Sequence, residues 1–119
     1  MTIIVGPYSN KDEAIKNFRL KKIADACNEL MRCKKTALAI SPLLYGISLI
    51  ENSSKKLTDS LDYWEEMCVN LVSKADEVYV LNLEGWDASS GVKIEIERAK
   101  ELNIPVYLID FNTFEYIKV

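Results

Sequence analysis

The run Val78-Tyr79-Val80-Leu81-Asn82-Leu83-Glu84-Gly85-Trp86-Asp87-Ala88-Ser89-Ser90-Gly91-Val92-Lys93-Ile94-Glu95 decides the fold. Its apolar opening, Val78 to Leu83, reads as a buried strand; with its acidic start the strand spans Asp76 to Leu83, the pattern of a central parallel strand. The segment Val92 to Leu102 has helical period. Between them, Gly85 to Gly91 is a strand-to-helix turn, the place in open α/β sheets where ligands bind, outside the carboxyl ends of the strands.

One residue of that helix is out of place. At about 100° per residue from Val92, the residues Ile96, Ala99, Leu102 and Asn103 share the apolar face, and Lys93, Glu97, Lys100 and Glu101 the wet one. Glu95 falls at about 300°, between Ala99 and Leu102. It is either a pocket group or an edge residue whose carboxylate snorkels to water. Burial would raise its pKa and the positive helix end would lower it. Ile94 falls at about 200°, on the wet side.

Upstream, Leu57 to Ala75 reads as a helix starting near Thr58 or Asp59, with Leu61, Trp64, Cys68, Leu71, Val72 and Ala75 on one face. Trp64 is therefore expected inward, as core or ligand contact. Before it, Leu43 to Lys56 lacks clear period yet is too apolar for a solvated loop, so it is expected to be a lid, a binding loop or a subunit interface. Ser41-Pro42 stops a second strand, Thr36 to Ile40. Lys11 to Cys33 is a long amphipathic helix carrying Ile15, Phe18, Ile23, Ala26, Cys27, Leu30 and Met31. Asn10 and Glu13 are spaced as its capping box. Thr2 to Val5 is the first strand, ended by Gly6-Pro7-Tyr8-Ser9. This stretch reads as a plain connection or as a ligand loop with Tyr8 reaching a pocket.

Downstream, Asn103-Ile104-Pro105 ends the helix and Val106 to Ile109 is a fourth strand. The tail from Asp110 to Val119 would add an edge strand or a turn that packs on the sheet. The βαβαβαβ order predicts a single α/β domain over residues 1–119. Its open parallel sheet would have four to five strands and helices on both faces, in the Rossmann-like or flavodoxin-like manner. The loops at Gly6–Asn10, Ser41–Lys56 and Gly85–Gly91 would then converge at one carboxyl edge.

Composition narrows the function. The 119 residues are 49% hydrophobic with net charge −3, enough for one core and without a basic stripe for nucleic acid. No apolar run reaches the roughly 18 residues of a membrane span, and Met1 to Gly6 reads as a strand, so a cytoplasmic protein without a signal peptide is expected. There is no histidine, and Cys27, Cys33 and Cys68 form no metal-like cluster, so histidine catalysis and histidine–zinc sites are excluded and no metal is expected. The glycine-rich dinucleotide fingerprint, the P-loop and the Gly-x-Ser-x-Gly elbow are absent. Ser89-Ser90-Gly91 is either a phosphate- or sugar-binding helix start or a plain N-cap.

Gly6-Pro7-Tyr8-Ser9, Ser41-Pro42, Trp64, Ala75-Asp76 and Gly85-Trp86-x-x-Ser89-x-Gly91-Val92-x-x-Glu95 together resemble the nucleoside 2-deoxyribosyltransferase superfamily, and within it a branch of short bacterial and phage proteins. The resemblance covers most of the chain. It implies cleavage of an N-glycosidic bond without a cofactor. Glu95 would be the nucleophile that forms a glycosyl-enzyme, and Tyr8 the hydroxyl that orients it. Ser89 and Gly91 would hold the 5′ end of the sugar, and Gly6, Pro7, Ser9, Ser41, Pro42, Trp64, Trp86 and Ser90 complete the substrate set. Two displacements through a glycosyl-carboxylate make the reaction retaining.

The resemblance also implies a homo-oligomer, to which an exposed Ile94 and the apolar stretch Leu43–Ile50 would contribute. The superfamily places an aspartate at the position of Cys68; here Glu65 or Asp87 would have to supply the acid. The acidic start of the first helix, Asp12 and Glu13, favours a nucleoside or nucleotide-like metabolite over a doubly charged phosphate. Two other readings stand beside the enzyme: a nucleoside- or nucleotide-binding protein that sequesters or senses its ligand, and an interaction domain with a decayed pocket.

Overall fold

The computed structural model describes residues 1–33, 35–54 and 61–119. Five strands form one sheet: β1 (Thr2–Val5), β2 (Ala39–Ile40), β3 (Glu77–Leu81), β4 (Val106–Ile109) and β5 (Tyr116–Lys118), in the order β2-β1-β3-β4-β5. β1 pairs in parallel with β2 and β3, β3 pairs in parallel with β4, and β5 closes the edge antiparallel to β4. The fold is the expected Rossmann-like α/β sheet, with its tail reversed. A turn joins the last two strands: Asp110 accepts from the amides of Asn112 (2.8 Å) and Thr113 (2.9 Å), which holds its carboxyl below the usual range.

The strand period of two divides the core. Ile4, Tyr79, Leu81 and Ile109 point to one face, where α1 (Glu13–Arg32) lays Ile23, Ala26, Cys27 and Leu30 on them. Ile3, Val5, Val78, Val80 and Val106 point to the other, against Val72 of α3 (Leu61–Val72) and Val92 and Ala99 of α4 (Ser90–Glu101). Tyr79, Tyr107 and Tyr116 fill the first face beyond α1; Tyr79 and Tyr107 stack at 5.1 Å.

Three expectations are corrected. The stretch after β2 is not an irregular lid but a helix, α2 (Pro42–Asn52). Ser41 is its N-cap, accepting from the Leu44 amide at 3.1 Å, with Pro42 in the first turn, so the residues read as a strand stop are a helix start. Its period was hidden because it is apolar on more than one side: Leu43 and Leu44 pack on the α1-side core, while Gly46, Ile47 and Ile50 face a cavity. The first helix is capped by Asp12, which accepts from the Ala14 amide at 2.9 Å; Asn10 instead accepts from the Asp12 amide at 2.8 Å, in place of a capping box. β2 is shorter than expected, covering Ala39–Ile40. The expected helix start at Thr58 or Asp59, like Lys55 and Lys56, lies outside the described residues. No helix among the described residues is long and apolar enough to cross a membrane.

Candidate functional site

The chain leaves β1 toward β2 on one side and reaches β3 and β4 on the other. The crevice between β1 and β3 is therefore a switch point, the usual ligand position in such sheets. A cavity of about 640 Å³ opens there, walled by the loop after β1, by α2 and α3, and by the turn and first residues of α4.

The loop after β1 can lie against α1 because residue 6 is glycine: a Cβ there would come within 3.1 Å of Ile23 Cδ1. Pro7, Tyr8 and Ser9 follow it along the cavity wall. The loop is held from below by Arg19, whose guanidinium donates to the carbonyls of Tyr8 (3.3 Å), Ser9 (3.1 Å) and Glu84 (3.0 Å). One cation thus joins the β1 loop to the β3 turn. Arg19 lines the cavity and was missed from sequence, although it stands four residues before Ile23 on the packed side of α1. The wheel that isolated Glu95 would have found it.

The turn after β3 begins at Gly85, whose φ of 89° is left-handed backbone that favours glycine. A short 3₁₀ turn, Trp86–Ala88, leads to Ser89, the N-cap of α4, which accepts from the Val92 amide at 3.3 Å. Gly85, Ser89, Ser90 and Gly91 line the cavity. Ser89 thus takes the N-cap role its sequence offered, and the residues at the cap face the crevice.

Glu95 lies on the same wall, only 9% exposed. No hydrogen bond or ion pair reaches its carboxyl among the described residues, and burial alone pushes its pKa up to about 8. At neutral pH that burial keeps it mainly protonated. Opposite, α3 contributes Trp64, Glu65, Met67 and Cys68. Burial, reinforced by the charges of Glu95 and Glu65, pushes the Cys68 thiol up to about 12, so it stays neutral and is a poor acid. The fourth wall is Pro42, Leu43, Gly46, Ile47 and Ile50 of α2. Gly46 lets the two helices close: its Cβ would sit 3.0 Å from Trp64 Cζ3.

Of the expected site residues, the cavity gathers Glu95, Tyr8, Gly6, Pro7, Ser9, Pro42, Trp64, Ser89, Ser90 and Gly91. Three lie elsewhere. Asp87 is exposed in the 3₁₀ turn, off the cavity wall, because that turn rotates it to solvent. Trp86 packs on the α3–α4 side of the core, and Ser41 is buried as the α2 cap. Tyr8 makes no hydrogen bond to Glu95. Its ring instead carries the Lys16 ammonium, 5.1 Å from the centroid, and Lys16 is held above its ordinary pKa by Glu13 first and Tyr8 second. Ile94, expected at the surface, is half-buried and lines the cavity, since α2 and α3 extend the packed surface past the sheet. No group of three or more acidic, cysteine or histidine residues among the described residues is placed to hold a metal.

A search of curated proteins finds no significant match. A family model described as "Domain of unknown function (DUF1937)" matches residues 2–111, which includes every wall of the cavity. The chain belongs to that family, DUF1937.

Proposed function

We propose that the protein cleaves an N-glycosidic bond, as a hydrolase or as a deoxyribosyltransferase, with Glu95 as nucleophile. The observation that carries this reading is a single one: a carboxyl buried without a partner among the described residues, facing a cavity at the switch point. A structural carboxylate at that depth would be paired, because leaving it unpaired costs stability. Strong perturbation in a cleft marks a group kept for chemistry.

In the reaction, a Glu95 carboxylate oxygen bonds to the anomeric carbon as the C–N bond breaks, and the electron pair leaves with the base. Water or a second base then attacks the same carbon from the other face and releases the carboxylate, so configuration is retained. The attacking form is the ionised one, so the rate rises with pH as Glu95 loses its proton near pH 8. Ser89 and the helix start at Ser90 and Gly91 offer a hydroxyl and amide donors to the sugar. Trp64 and the apolar side chains of α2 offer a slot for a flat base. A homo-oligomer and a nucleoside or nucleotide-like substrate belong to the same proposal.

A second reading, a protein that binds and sequesters such a ligand, draws on Cys68, which offers a departing neutral base no useful proton. Incubation with a panel of deoxynucleosides and their 5′-monophosphates, with and without a second base, separates the two. Base released by the wild type and lost in Glu95→Gln establishes the enzyme, and acceptor dependence distinguishes transfer from hydrolysis. Saturable binding that survives Glu95→Gln, with no release from any glycoside, establishes the binder.

A further inference from the structure

Three charged side chains among the described residues line the cavity: Arg19, Glu65 and Glu95. The guanidinium of Arg19 is committed to three backbone carbonyls. Lys16, beyond Tyr8, is paired with Glu13 at 3.1 Å and is not on the wall. The groups left to meet a ligand's charge are therefore carboxyls. One of them, Glu95, is more than nine-tenths buried and without a partner among the described residues. The other, Glu65, stands one helical turn from Cys68 on the facing helix. Of the remaining polar groups facing the crevice, the Cys68 thiol is held neutral and the Tyr8 phenol lies against Lys16.

We infer that the site takes N-glycosides whose aglycone is a cationic heteroaromatic ring, of the ribosylpyridinium type, with Glu65 and Glu95 recognising the charge and the base departing without protonation. The inference rests on the N-glycosidic reading above and names its substrate class.

Three arguments converge on it. First, a neutral base leaves with a negative charge that must be quenched by a proton, and the Cys68 thiol on the wall, pushed up to about 12, is a poor donor of one. A pyridinium leaves as neutral pyridine. The carboxylate oxygen of Glu95 bonds to C1′, the C1′–N pair returns to the ring nitrogen, and its positive charge is cancelled. Water then attacks C1′, freeing the carboxylate and giving one proton to solvent.

Second, that step turns an anion and a cation into two neutral species, and removing charge is favoured in a cavity walled by Ile47, Ile50, Met67 and Trp64. The corresponding step on a neutral glycoside would build negative charge beside Glu65. Third, a cation seated near Glu95 draws off the proton that burial holds there, so the substrate itself generates the nucleophile. The indole of Trp64 adds a face suited to a flat cation.

The test uses the whole protein at pH 7.5 and two matched probes, 1-(β-D-ribofuranosyl)pyridinium and the neutral phenyl C-riboside of the same shape. Calorimetric titration should show the cation bound at least about tenfold more tightly, with proton release visible as a dependence on buffer ionisation enthalpy. Glu65→Gln should cut that preference severalfold, with an unchanged melting temperature reporting an intact fold. Pyridine release, followed by ultraviolet absorbance, should accompany binding and vanish in Glu95→Gln. Equal affinities, or binding of neither probe, overturn the inference, as does preferential binding without pyridine release. Cleavage of neutral deoxynucleosides in preference to the pyridinium overturns it too, while leaving N-glycosidic cleavage standing. Failure of every glycoside to react removes both.

Discussion

The two ends of α4 treat charge in opposite ways. Near its C-terminus, Arg98 is paired: its Nε donates to Ser73 Oγ at 3.1 Å and its Nη1 to Glu101 at 3.1 Å, while Ser73 in turn donates to the Val69 carbonyl at 2.7 Å. One turn earlier, Glu95 is more deeply buried and has no partner among the described residues. The same helix, packed on the same α3, thus has the means to satisfy a charge and does so only at the end remote from the crevice. Burying an ionisable group unpaired costs free energy, and the fold bears that cost at the cavity. The comparison sets a paired charge against an unpaired one within a single helix of 12 residues.

The strongest way to break it is activity. If the end near Glu95 is kept for chemistry, Glu95→Gln lowers glycoside turnover by at least about 10⁴-fold, whereas Arg98→Met leaves it within about twofold. Comparable losses from both variants would erase the distinction.

Stability against pH sharpens it next. The folded-state pKa of Glu95 is raised from an ordinary 4.5 to about 8, so the native state keeps a proton that the unfolded chain gives up. The stabilisation is complete below about pH 4.5 and is lost as pH rises through about 8. At about 1.4 kcal/mol per pKa unit the upper bound of that loss is about 5 kcal/mol. Glu95→Gln should therefore melt higher than wild type at pH 8.5 and match it at pH 4. A difference that does not change with pH would mean that the carboxyl is paired in solution.

Arg19 offers a third comparison, a buried-side cation that is satisfied and yet borders the cavity. Arg19→Met removes three donors from loop carbonyls and should cost about 2 kcal/mol in urea denaturation. It should also speed amide exchange in Tyr8–Asn10 and at Gly85 more than in the core strands. Uniform exchange would show that Arg19 supports the fold at large rather than the crevice.

Gly85→Ala should cost about 1 kcal/mol through its left-handed φ, with the new Cβ 3.2 Å from Arg19 Nη2. The smallest effect is expected from Arg98→Met, about 0.5–1 kcal/mol, because the side chain is partly exposed. That loss should be the same at pH 5.5 and 8, in contrast to Glu95→Gln.

The sequence by itself determined the elements whose period is set by one buried face: β1 and β4 to the residue, α1 and α4 to within two residues at each end, and the alternation that makes a parallel sheet. It also isolated Glu95, because a carboxylate among Ala99 and Leu102 contradicts the local pattern, and such contradictions are visible without coordinates. The tertiary structure decided the rest. α2 has no single apolar stripe because it packs in more than one direction, which no one-dimensional period records. Asp87 and Trp86 share a turn with Ser89, and only the 3₁₀ twist sends one to solvent and the other to the core.

Tyr8 was expected to orient Glu95, but its phenol lies against Lys16, a neighbour set by how α1 crosses the loop. That Cys68, Glu65 and Glu95 face one cavity is likewise a matter of how α3 meets α4. Burial of a carboxyl depends on every neighbour at once, and the sequence orders neighbours along the chain only.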